Sequence, residues 1–287
     1  MSLFVDKWIK APIVLPDGHI EFVIGDSHGH LELLKPLVEK AIEEEPSCFI
    51  TFLGDVIDRG PNSLNNLKFA LNTILERKSK GFGGEFLLGN HEAMMLATLC
   101  GDRFMSDIYF SNGGGWLYEE FNAVPHNLNC MEWFKKELGE DAFNLLTKNG
   151  ILLKKYSDND VIPDGMLYRN IGNLFLVHAG VNPDFSHSTR RIKEWLNHFD
   201  IFNINEEDHP LWIRGPFIYS KCNFDNNIIV HGHTFECKIM NDRFEKKKPG
   251  HHCLEGNRFG LDAGSFYTGY VAGVLFKNGY YKVITSS

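Results

Sequence analysis

Short runs of β-branched and aromatic residues, each closed by a glycine or polar cluster, recur along the chain at Ile20 to Ile24, Cys48 to Leu53, Glu85 to Leu88, Leu174 to Val177 and Ile228 to Val230. Apolar runs of this length predict buried strands. Between the first two, Leu33, Leu34, Leu37, Val38 and Ile42 recur at helical spacing from Leu31 to Glu45, with the charged residues on the other face. That is an amphipathic helix, and with its flanking strands a βαβ unit. Further helices are predicted from Ser63 to Lys78 and from Glu92 to Thr98, so the first hundred residues alternate as an α/β fold does. From about 101 to 172, Asn112-Gly113-Gly114-Gly115, Pro125, Gly139, Gly150 and Pro163-Asp164-Gly165 interrupt amphipathic helical pieces, which predicts an insertion over the sheet. After Phe259, apolar runs at Leu261 to Ser265, Tyr270 to Phe276 and Tyr280 to Ile284 follow, with Lys277-Asn278-Gly279 as a hairpin turn.

Composition narrows the class. With 43% hydrophobic and 23% charged residues the chain is an ordinary folded protein. Its 287 residues are read as one domain over 1–287 carrying the insertion at about 101–172. Acidic residues exceed basic ones, 37 against 29, giving a formal charge of −8 and no basic surplus for nucleic acid. No apolar window is long enough for a membrane span, and the first ten residues carry Asp6, Lys7 and Lys10. The six cysteines, Cys48, Cys100, Cys130, Cys222, Cys237 and Cys253, are dispersed without CxxC spacing, so a reducing, cytoplasmic setting with inert thiols is expected.

Five strand ends carry candidate metal ligands: Asp26 and His28, then Asp55, Asn90, His178 and His233. Each alone is more often a turn residue or a packed histidine than a ligand. Together they gain meaning, because open α/β sheets collect ligands in the crevice at the carboxyl ends of their strands. Carboxylate, imidazole and amide oxygen without thiolate suit divalent Mn, Fe or Zn. Six such donors fit two ions, with Asp55 as the bridge because a carboxylate offers one oxygen to each. A water activated there is the expected nucleophile. His91 is placed to protonate a leaving alkoxide, with Asp58 orienting its ring, and Arg59 offers a planar fork for phosphate oxygens.

The blocks Gly25-Asp26-Ser27-His28-Gly29, Gly54-Asp55-Val56-Ile57-Asp58-Arg59-Gly60, Gly89-Asn90-His91-Glu92, His178-Ala179-Gly180 and His231-Gly232-His233-Thr234 resemble, in order, those of the calcineurin-like metallophosphoesterases. The second block looks like the phosphoprotein phosphatase branch, close to its bacterial and phage-type Ser/Thr phosphatases. The resemblance runs from about residue 20 to 276. It implies two mixed β-sheets packed as a sandwich between helices (α/β/β/α), with a mainly helical insertion. It also implies a first metal on Asp26, His28 and Asp55, and a second on Asp55, Asn90, His178 and His233. Trp212 to Phe217 looks like the block that supplies a second phosphate-binding arginine, Arg214, to act with Arg59 and the Asn90 amide. Leu261-Asp262-Ala263-Gly264-Ser265 is similar to a closing strand-and-turn block and is given a structural role.

Relatives outside that branch carry a histidine where this chain has Phe235, so His231 is expected to support the site rather than bind metal. His126, His187, His198 and His209 match no block and are read as surface or packing residues. The aromatics Trp116, Tyr118 and Phe121 are read as a local core in the insertion. The expected activity is metal-dependent phosphomonoester hydrolysis, on a phosphorylated Ser/Thr protein or peptide (dual specificity included) or a small phosphoester. Its cofactor is two divalent ions, Mn²⁺ foremost and Fe or Zn as alternatives. Symmetrical dinucleoside polyphosphate hydrolysis is the alternative with the same metal site. Glu92 leans toward the phosphatase, since the nucleotide hydrolases tend to have Asp there. A degenerate phosphate-binding module is disfavoured because every expected ligand is present.

Overall fold

The computed structural model describes residues 2–123, 129–153, 165–197, 208–235 and 252–287. His126, His198, Cys237, Lys246-Lys247-Lys248 and His251 lie outside the described residues. Two mixed sheets are present. The first contains β1 (Leu3–Val5), β2 (Ile9–Lys10), β3 (Ile20–Ile24), β4 (Phe49–Phe52), β5 (Gly84–Phe86), β10 (Val271–Lys277) and β11 (Tyr280–Ser286). Its order is β1-β11-β10-β3-β4-β5, with β2 also on β11. The second has the order β6 (Tyr168–Ile171), β7 (Leu174–Val177), β8 (Ile228–His231) and β9 (Arg258–Gly260). β3, β4 and β5 run parallel, as do β7, β8 and β9, and the remaining pairings are antiparallel.

Alternation along the strands divides two buried clusters. Val23, Leu174, Leu176, Ile228, Val230, Val274 and Phe276 meet between the sheets. Their neighbours Phe22, Ile24, Phe175, Val177, Ile229 and Leu275 turn to the opposite faces and pack in the second cluster with helix residues. Strands buried on both faces therefore read as continuous apolar runs, which is why the sequence exposes them. Helix α1 (Leu31–Glu44) buries Leu33, Leu34, Leu37, Val38 and Ala41, the stripe its spacing predicts, and α2 (Ser63–Ser79) lies beside it. Helix α3 (Asn90–Leu99) starts two residues earlier than predicted, at Asn90 itself.

The 101–172 stretch contributes α4 (Arg103–Ser111), α5 (Trp116–Asn122), α6 (Cys130–Leu138) and α7 (Glu140–Thr147), in keeping with a mainly helical insertion. Its last residues differ from that reading, because Tyr168–Ile171 forms the edge strand β6. After it come α8 (Thr189–Leu196) and the single turns α9 (Gly215–Ile218) and α10 (Ser265–Thr268). The apolar run Leu261 to Ser265 is not a strand. Pairing in this region ends at Gly260, and the chain then turns toward the crevice. The hairpin prediction holds: Lys277 pairs with Tyr280 across Asn278-Gly279, with Gly279 at φ 80°. His187 is exposed and His209 is packed inside, both away from the donor groups described below. The five cysteines among the described residues form no disulfide. Among those residues no helix is long and apolar enough to cross a membrane.

Candidate metal centre

The carboxyl ends of β3, β4, β5, β7 and β8 point into one crevice, and Asp26, His28, Asp55, Asn90, His178 and His233 are all buried there. The loops that bring them in are strained. Ten non-glycine residues among those described have positive φ, and five of them are His28, Asp55, Asp58, Arg59 and His233. Unfavourable backbone gathered at one place marks a site that the surrounding structure holds in shape. Close backbone crossing does the same at Gly89, where a Cβ would sit 2.2 Å from Asp55 Oδ1.

Two groups of donors meet at Asp55: His28, Asp55 and His91 in one, Asp55, His178 and His233 in the other, with the donor atoms of each within 4.8 Å of one another. Asp55 Oδ2 lies 3.5 Å from His178 Nε2, 3.9 Å from His28 Nε2 and 4.0 Å from His91 Nε2. Asn90 Oδ1 stands between His178 Nε2 at 2.9 Å and His233 Nδ1 at 3.0 Å. His91 occupies the first group where Asp26 was expected. Asp26 instead accepts the His233 backbone N–H at 3.0 and 3.2 Å. Burial, then the neighbouring Asp262 and Asp55 carboxylates, push its carboxyl well above the usual range.

Ring orientation tests whether cations fit. His28 Nδ1 lies 2.9 Å from Ile57 O, and His178 Nδ1 lies 2.8 Å from Leu53 O. A carbonyl only accepts, so each Nδ1 carries the proton and each Nε2 presents a lone pair to the crevice. Arg59 Nη1, always a donor, lies 2.9 Å from His28 Nε2 and fixes the same tautomer. His178 Nε2 then faces Asn90 Oδ1 lone pair to lone pair, a contact that a bound cation turns from repulsive to favourable. The carbonyl partners are the usual device for orienting metal-binding imidazoles. Burial lowers the proton affinity of His178, takes His28 down to about 3 and takes His233 well below its usual range, so the rings are in the neutral form a metal requires. Burial opposes ionisation of Asp55, but the surrounding His178, His91, His28 and His233 rings outweigh it and hold its carboxyl below the ordinary range. Hard and borderline donors with no thiolate thus fit a pair of divalent cations.

The remaining predicted residues surround this centre. His91 Nδ1 is hydrogen-bonded to Asp58 Oδ2, and the His91 N–H donates to Asp55 Oδ1 at 3.0 Å. Burial works against protonation of His91, but the Asp55 and Asp58 carboxylates prevail and raise its pKa. Arg59 and Arg214 are exposed and line, with Asp262, Tyr219 and Phe266, a cleft of about 860 Å³ over the donors. Arg214 Nη1 donates to His233 O at 2.8 Å. His231 stays out of both donor groups and packs edge-on against Phe217 at 5.0 Å.

Four residues near the centre were not assigned to it from sequence. Glu92, fully buried, accepts the backbone N–H groups of Asp55 at 2.8 Å, Val56 at 2.9 Å and Gly89 at 3.1 Å, tying the β4 loop to the start of α3. Its place three residues after the N-cap Gly89 lets it cap that backbone N–H, the half of a capping box that a glycine N-cap leaves possible. Burial first, then the Asp55 charge, lift its carboxyl to about 8. Glu92→Gln puts an amide N–H₂ against backbone donors, so it is expected to cost about 1–3 kcal/mol in urea unfolding; an unchanged midpoint would remove Glu92 from this role. Asp262, read from sequence as part of a structural block, is buried and lines the cleft. Burial pushes its carboxyl up to about 6. Tyr109 and Trp116 both donate to Asp58 Oδ1, at 2.9 and 2.5 Å. Trp116 thus has a polar role beyond the expected packing, which it and Phe121 do fulfil against the core cluster, whereas Tyr118 stacks on Phe110 but is exposed.

The calcineurin-like phosphoesterase family model matches residues 22–262, and the chain belongs to that family. Members use a dinuclear metal centre, for which the donor groups above are candidates. The chain is 28% identical over 137 residues to the symmetrical bis(5'-nucleosyl)-tetraphosphatase of Hamiltonella defensa subsp. Acyrthosiphon pisum, covering 46% of this chain and 45% of that protein. It is 26% identical over 168 residues to the enzyme of the same name from Actinobacillus succinogenes, covering 58% and 46%. Each match thus spans less than half the length of the relative. The cold-active protein-tyrosine phosphatase of a psychrophilic Shewanella species shares the fold at 18% identity and a TM-score of 0.54, over 93% of this chain and 78% of that one.

Proposed function

We propose that this protein hydrolyses phosphomonoesters, with phosphorylated Ser or Thr side chains of proteins as its substrates. The observation that carries the reading is the pair of donor groups sharing Asp55, with His91 Nε2 4.0 Å from that carboxylate and its Nδ1 held by Asp58. Asp26, His28 and Asp55 would hold one divalent ion, and Asp55, Asn90, His178 and His233 the other. Manganese is the first choice, with iron or zinc as alternatives. Bound, the ions supply Lewis-acid polarisation of the ester and a water whose pKa falls toward about 7.

The chain's own groups do the rest. Arg59 and Arg214, on the rim of the cleft, bind the non-bridging phosphoryl oxygens, and the Asn90 amide supports them. His91 Nε2 gives its proton to the departing alkoxide oxygen, while Asp58 keeps Nδ1–H in place. Two dications and two guanidinium groups make the site locally positive despite the acidic chain, so an anionic ester is attracted.

The matched relatives named as symmetrical bis(5'-nucleosyl)-tetraphosphatases favour a second reading, cleavage of a dinucleoside polyphosphate in the same cleft. One experiment separates the two. Purified protein with Mn²⁺ is assayed in parallel for phosphate release from a phosphothreonine peptide and for ADP release from diadenosine tetraphosphate. Faster turnover of the peptide supports the proposal, and turnover of the dinucleotide alone rejects it. Chelation of the metal is expected to abolish hydrolysis of p-nitrophenyl phosphate, and Mn²⁺ to restore it. Full activity in a metal-free sample would end both readings.

A further inference from the structure

We propose that Tyr109 and Trp116, carried by α4 and α5 of the insertion, are positioning residues that lock the Asp58–His91 pair in the orientation needed to deliver a proton. The chemistry of this inference rests on the hydrolase reading above. Asp58 has two oxygens with different occupants. Oδ2 meets His91 Nδ1, while Oδ1 accepts the Tyr109 hydroxyl at 2.9 Å and the Trp116 indole N–H at 2.5 Å. Asp58 and Tyr109 are fully buried, and Asp58 sits on left-handed backbone at φ 70°, its N–H donating to Ser63 Oγ at 2.9 Å.

A carboxylate without those two donors would leave Oδ1 buried and unpaired and would be free to turn about its Cβ–Cγ bond. With them it has one orientation, in which Oδ2 is the oxygen presented to His91. A carboxylate only accepts, so His91 Nδ1 carries the hydrogen and Nε2 is left 4.0 Å from Asp55 Oδ2, at the donor centre. The two donors come from separate helices, which is more than packing a local core requires.

The glycine run explains how they converge. Tyr109 lies near the end of α4 and Trp116 opens α5, with Asn112-Gly113-Gly114-Gly115 between them. A Cβ at Gly114 would lie 2.4 Å from Cε1 and Cζ of the Tyr109 ring, so only glycine lets the backbone cross the phenol face there. The Gly114 N–H also donates to Tyr109 O at 3.1 Å. The chain thereby folds over Tyr109 and delivers the Trp116 indole to the same oxygen.

Tyr109→Phe and Trp116→Phe each keep an aromatic ring and delete one donor. Each is expected to lower kcat about tenfold with KM within about twofold, a fraction of what a whole proton donor supplies. The loss is expected to be larger for phenyl phosphate than for p-nitrophenyl phosphate, because the poorer leaving group depends more on protonation. The second readout needs no turnover: in ¹⁵N-histidine-labelled protein, His91 Nδ1–H should give a downfield, slowly exchanging proton signal that broadens or vanishes in either variant. Folded variants that keep both the wild-type kcat and the His91 signal would overturn the inference. So would an equal loss on both esters with the signal intact. Wild-type protein inactive on every ester would end the hydrolase reading, yet the histidine signal would still decide whether the two residues position His91.

Discussion

Replacing Asp55 by asparagine is expected to remove bound metal and to lower phosphomonoester turnover by about a thousandfold or more, beyond the 10- to 100-fold typical of groups that only support a ligand. The carboxylate is the one side chain shared by both donor groups, and its two oxygens have separate duties. Oδ1 accepts the His91 N–H, while Oδ2 faces the nitrogens of His178, His28 and His91. An amide keeps the shape and removes the charge that a dication needs. Because it can donate to the lone pairs of those rings, the metal-free variant is expected to melt no lower than the metal-free wild type. It should lose only the added stability that a bound ion confers by mass action. Elemental analysis and melting with and without Mn²⁺ check this. Two equivalents of tightly held metal in the variant would show that Asp55 is not the shared ligand.

His91→Ala is expected to reduce kcat by about 10²- to 10⁴-fold while leaving metal content near that of the wild type. The structure separates the two effects. His91 Nδ1 is committed to Asp58, which leaves Nε2 as the nitrogen that can give up a proton. The loss should shrink as the leaving group improves, being smallest for p-nitrophenyl phosphate. If His91→Ala instead strips one metal and affects all esters alike, then its presence in the first donor group reflects ligation, and the proton donor must be sought elsewhere.

How much of this could be read from the chain depended on which physical signal each part leaves. Strands β3, β4, β7 and β8 are buried on both faces and show as largely apolar runs, interrupted by Glu21 in β3 and Thr51 in β4, and α1 shows as a stripe. Strands β1 and β2 left no signal, because they are exposed edge pieces whose pairing with β11 is supplied by backbone alone. The six donors were legible because each follows a strand and has unmistakable ligand chemistry. Their grouping was less so: the nitrogen of His91 lies beside His28 and Asp55, while Asp26 accepts the His233 backbone N–H, a contact that no residue type announces. Tyr109 and Trp116 were invisible as site residues because helical spacing identifies a buried face, not the one polar atom on it that reaches across to Asp58.

The position of β10 carries a consequence for how the protein is made. This strand lies between β3 and β11 and pairs Gly273 with Ile24, residues 249 positions apart in the chain. The middle of the larger sheet is thus supplied by a segment that leaves the ribosome after all the metal-binding side chains. A nascent chain that has already produced every metal-binding side chain still has an open gap beside β3, where unpaired backbone is exposed to other polypeptides. Until synthesis reaches Lys277 the crevice has no firm floor, so chaperone protection during translation should matter more here than for a protein whose sheet closes in sequence order.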